Sequence, residues 1–108
     1  MSNNRYSPFT NIAFAIVTAG LAPITQRSNG IDTVTRISAG VYDLTLTGGG
    51  IDQIDCIDIA SIRSVGVVNP TIAVSHTSDT VKRVSTSVGG LFADADFTVR
   101  LDRAPLYS

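Results

Sequence analysis

Residues 36–48 read RISAGVYDLTLTG, and this stretch decides the fold class. Within it Tyr42, Leu44 and Leu46 alternate with Asp43, Thr45 and Thr47. A period of two sends the apolar side chains to one face and the polar ones to the other, which is a half-buried strand. The glycine run 48–50 ends it. The same alternation returns in DFTVRL (96–101), where Phe97, Val99 and Leu101 share one face and Thr98, Arg100 and Asp102 the other. Upstream, NIAFAIVT (11–18) places Ile12, Phe14 and Ile16 on one face with small residues opposite. TVTRIS (33–38), SIRSVGVV (61–68), TIAVSHT (71–77) and TVKRVSTSV (80–88) read as further strands.

Punctuation between these runs supports the reading. Gly20, Pro23 and the triplet Ser28-Asn29-Gly30 make residues 20–30 a turn-rich link. Asn69-Pro70, Ser78-Asp79 and Gly89-Gly90 stop or turn the later runs. Residues 51–59, IDQIDCIDI, repeat Ile-Asp every three positions, a period that suits neither a strand nor a long helix. A tight helical turn or an irregular crossing loop is expected there. Composition agrees: eleven Val and eleven Ile face six Leu, all nine acids are Asp, and Lys82 is the one lysine. Helix formers are scarce and β-branched residues abundant. Seven or eight short strands in 108 residues predict an all-β fold, an antiparallel two-sheet sandwich of jelly-roll-like form. Three segments are expected: an N-terminal docking arm (1–10), the sandwich (11–103) and a C-terminal tail (104–108).

The same residues narrow the chemistry. Net charge is −1, Trp is absent and aromatics make up 6%, which leaves neither the basic stripe nor the stacking platform of a nucleic-acid binder. The apolar run 12–22 is about half a membrane span, and residues 1–11 lack an apolar leader core, so neither a membrane partner nor a secretory route is expected. Cys56, the single cysteine, reads as a small hydrophobe between Ile54 and Ile57. His76, the single histidine, stands in a strand without a matched nucleophile and reads as a surface or turn-end residue. Asp52, Asp55 and Asp58, and separately Asp94 and Asp96, are spaced closely enough to raise a hard-cation site. They lack the spacing and the bidentate Glu of a calcium loop, so ion pairs with arginine are the better reading. No enzyme, cofactor or metal is expected. Binding residues are instead expected in the termini: Tyr6, Pro8 and Phe9 in front, and Pro105, Leu106 and Tyr107 behind. They are sparse apolar anchors in polar segments, of the kind that gain contacts on a neighbour, with Arg103 beside them for an acidic partner surface.

RISAGVYDLTLTG (36–48) followed by ADADFTVRLD (93–102) resembles a pattern of small β-domains in bacteriophage virion proteins. There a strand S-x-G-V-Y opens one sheet and a strand D-x-D-F-x-V closes it. The direct match covers about a quarter of the chain. At this length the resemblance is closest to capsid decoration, cement or staple proteins. It implies a non-enzymatic homo-oligomer, dimer or trimer, on the outside of an icosahedral virion, made in the host cytoplasm. Its partner would be the major capsid protein, whose neighbouring subunits it clamps. A fibre-tip or receptor-binding module and a tail or connector component are the alternatives.

Overall fold

The structure, a computed structural model, describes residues 10–48, 56–64 and 69–103. Nine strands run through the described residues: β1 (Thr10–Thr18), β2 (Ile24–Asn29), β3 (Ile31–Ser38), β4 (Val41–Leu46), β5 (Cys56–Ile62), β6 (Pro70–Ser78), β7 (Val81–Val88), β8 (Leu91–Phe92) and β9 (Phe97–Arg103). They form two antiparallel sheets, β2-β1-β9-β5 and β3-β4-β7-β6, with the short β8 pairing β7. The two-sheet sandwich expected from the alternation is the fold.

The core explains the alternation. Tyr42, Leu44 and Leu46 of β4 are buried against Phe97, Val99 and Leu101 of β9 in the facing sheet. The Tyr42 and Phe97 rings meet across the sandwich with centroids 5.5 Å apart and planes tilted by 52°. Such tilted pairs add about 0.5–1.5 kcal/mol beyond the area they bury. In β1 the small face is the inner one: Ala13, Ala15 and Val17 are buried, while Phe14 and Ile16 point outward and are half-buried. Small chains on β1 leave room for the Tyr42 ring from the facing sheet and the Phe97 ring on the neighbouring strand, since a core holds a set volume.

Three expectations shift. Residues 20–30, read as a turn-rich link, contain β2, whose six residues are all exposed. An edge strand buries too little to show an apolar period, so turn chemistry hid it. Residues 56–62 form β5 along the edge of the first sheet, not a helical turn or loop, and residues 51–55 lie outside the described residues. There Cys56, Asp58, Ala60 and Ile62 alternate inward, so the Ile-Asp repeat masked a period of two. The strand expected from Ser61 onward therefore ends at Ile62, and residues 65–68 lie outside the description. Asp102 keeps to the outer face as expected, yet it is only 4% exposed. Asn11 Nδ2 donates to its Oδ1 at 3.1 Å and Arg100 meets its Oδ2 at 3.0 Å, beside a register shift in β1 between Asn11 and Ala13.

Candidate functional site

The two motif segments meet in space. Asp94, in the loop before β9, receives Arg36 Nε at 3.2 Å, the Gly40 N–H at 2.8 Å and the Tyr42 hydroxyl at 2.7 Å. The Tyr42 oxygen in turn accepts the Gly20 N–H at 3.0 Å. Burial alone would raise the Asp94 carboxyl. The donors from Arg36, Gly40 and Tyr42 outweigh it and hold the group below its ordinary range. Burial, seconded by the bond to Asp94, pushes the Tyr42 phenol up, so it stays a donor. Asp96 Oδ1 accepts the Ala19 N–H at 2.8 Å. The Asp94–Asp96 pair is thus spent on arginine, tyrosine and backbone donors. Among the described residues no three His, Cys or Asp side chains converge on a metal position. What Gly40, Tyr42, Asp94 and Phe97 hold in place is the packing of a loop on a hairpin.

The outer face of the first sheet is a different surface. Phe14, Arg100 and Ile59 lie side by side across β1, β9 and β5, and Ile16, Thr98 and Ser61 form the next row. Together they line an open groove of about 360 Å³, floored by the β9 backbone. Phe14 and Ile16 are half-buried and Ile59 is 45% exposed. Ser61 and Thr98 share a hydrogen bond of 2.8 Å along its side. Apolar side chains flanking a central arginine and threonine have the make-up of a protein-binding patch. The sequence contained the signal: Phe14 and Ile16 stand opposite a row of alanines.

A third feature lies between the sheets, where β5 faces β6 and β7. Lys82 is 0% exposed, its ammonium pointing inward in the row of Val84 and Thr86. Its Nζ is 3.4 Å from Asp58 Oδ1 on the opposite sheet and makes no well-aligned hydrogen bond among the described residues. The Cys56 thiol donates to the same Oδ1 at 3.1 Å. Burial first, then the bond to Asp58, pushes that thiol up to about 11. His76 sits opposite Lys82 in the β6–β7 ladder, with its Nε2 3.2 Å from Asp79 Oδ1 and its buried Nδ1 without a partner among the described residues. Lys82 and Arg83, neighbours in sequence, point to opposite faces. Arg83 holds Asp43 through two bonds of 2.7 and 3.0 Å on the outer side.

Of the binding residues expected in the termini, Arg103 is described: it is exposed at the end of β9, level with Thr10 and Cys56 in the neighbouring strands. Tyr6, Pro8, Phe9, Pro105, Leu106 and Tyr107 lie outside the described residues. The groove and the inter-sheet cluster were not singled out from sequence. Lys82 was legible in principle, being in phase with Val84, but a lysine beside an arginine reads as solvated surface. The chain matches no protein-family model, no curated protein and no solved structure.

Proposed function

We propose that this chain is a non-enzymatic structural protein of a bacteriophage particle. It binds the outside of the capsid as a dimer or trimer and clamps neighbouring major capsid protein subunits. The observation that carries a binding role is the open, mainly apolar groove over β9, lined by half-buried Phe14 and Ile16 and by exposed Ile59. The capsid as partner rests on the resemblance of residues 36–48 and 93–102 to virion β-domains. A ligand of the assembled shell stabilises it by mass action, and many copies make weak single contacts sufficient. Both strand ends beside Arg103, where the terminal segments join, lie on the same sheet as the groove. Arms and groove can therefore meet one partner surface together.

The test is co-sedimentation of the purified protein with intact heads, beside the temperature of head rupture with and without it. Saturable binding that raises the rupture temperature supports the reading. No binding to heads together with saturable binding to host cells transfers the case to a receptor-recognition module.

A further inference from the structure

The inter-sheet cluster has the parts of a covalent cross-link. A fully buried ammonium whose one ion-pair contact among the described residues is 3.4 Å long is an expensive group to fold around, because burial removes the water that solvates it. A solvated surface lysine would avoid that cost entirely. Lys82 instead points across the sandwich at a carboxyl group that is itself 23% exposed, with Nζ 3.4 Å from Oδ1 and the carboxyl carbon one bond beyond that oxygen. The third group, the Cys56 thiol, is aimed at the oxygen that would carry negative charge during such a reaction.

We propose that Lys82 and Asp58 condense to an intramolecular amide that staples β7 to β5, with Cys56 polarising the reacting carboxyl. The ammonium passes one proton to the Asp58 carboxylate. The freed lone pair on Nζ attacks Cγ, forming the N–C bond, and the electron pair of the C–Oδ1 double bond moves onto Oδ1. Cys56 donates its S–H to that oxygen throughout. The nitrogen then gives a second proton to the other carboxyl oxygen, whose bond to Cγ breaks as it leaves as water. The C–Oδ1 double bond reforms. One ammonium and one carboxylate become one amide and one water, with no oxidant or cofactor. The product removes the buried ammonium and the charge of its partner, leaving an N–H and a C=O of far lower desolvation cost. Because the thiol is held up to about 11, it remains a donor across neutral pH. A link between strands 24 residues apart, joining the two sheets at an open edge, would oppose their separation under load.

Mass spectrometry of the folded full chain after prolonged incubation reads the outcome directly. The expected intact mass is lower by one water than the mass calculated from the sequence, whereas Lys82→Arg and Asp58→Ala should each match their calculated masses. The wild-type digest also decides alone if those variants do not fold. Trypsin acting on the denatured protein should yield residues 37–63 joined to residues 64–83, with no cut after Lys82. Cys56→Ala should slow the appearance of the joined species at least tenfold. A free peptide 64–82 as the dominant product overturns the proposal. A gain of one oxygen with loss of two hydrogens overturns it as well, since that mass marks a bridge between the cysteine sulfur and the lysine nitrogen.

Discussion

Replacing Tyr42 by Phe isolates one oxygen atom at the centre of the fold. The ring is fully buried and keeps its contact with Phe97, so no cavity beyond the hydroxyl opens. Two bonds go. The 2.7 Å bond to Asp94 has a charged acceptor, a class that contributes about 1.5–3 kcal/mol, and the Gly20 N–H loses its acceptor, adding about 1 kcal/mol. Asp94 keeps Arg36 and the Gly40 N–H, so it stays ionised and the loss is bounded by those two bonds. The expected cost is about 2–4 kcal/mol against a total stability of about 5–15 kcal/mol for a domain. On a chain of this size that lowers Tm by on the order of 10–20 °C. Urea unfolding followed by circular dichroism should show a lower midpoint at an unchanged slope. Combining Tyr42→Phe with Asp94→Ala should return a coupling of about 0.5–3 kcal/mol, since the two residues share a bond. A cost below about 0.5 kcal/mol, the level of an inert surface change, would refute the network as the support of this end of the sandwich.

Other perturbations separate the remaining claims. Gly40 sits at φ +73°, and a Cβ there would lie 2.7 Å from the Ala93 nitrogen. Gly40→Ala should therefore cost well over the ~1 kcal/mol of the left-handed conformation alone, whereas Gly48→Ala, at φ +85° with open space, should cost only about that; equal midpoints in thermal melts would remove the close approach from the account. Ile59→Asp should leave the melting curve within about 1 kcal/mol of wild type, because the side chain is already 45% exposed, while abolishing sedimentation with heads. Unimpaired binding would take the groove out of the interface. The Asp94 carboxyl is lower in the folded state than its ordinary 3.8, so its contribution is present above that value and lost as pH falls through the lower one. Stability measured from pH 5 downward should fall in this window, and Arg36→Met should move the fall to higher pH; identical acid profiles would count against the pairing. Deleting residues 1–9 or 104–108 should keep the β-sheet spectrum and weaken head binding, and full binding by both truncations would dismiss the arms.

The motif resemblance gains a physical meaning from the structure. Gly40, Tyr42, Asp94 and Phe97 are the residues that draw attention in sequence, and they turn out to fasten a loop to a hairpin and one sheet to the other. Residues of that kind identify an architecture. Phe14, Ile16 and Ile59 lie instead on the outward face of the first sheet, away from these contacts.

Period-two alternation determined the class of fold unaided, because a strand with one wet face must alternate. Tyr42, Leu44, Leu46, Phe97, Val99 and Leu101 were legible as core for that reason. The inward direction of β1 was not: both of its faces are apolar, and only the bulk of Tyr42 opposite and of Phe97 alongside makes the alanine side the buried one. Strand order was equally silent, since an edge strand such as β2 buries too little to leave a pattern. The approach of Lys82 to Asp58 was decided by tertiary structure alone. It joins residues 24 positions apart, on strands of different sheets, and local sequence carries no record of which face of one sheet will meet the other.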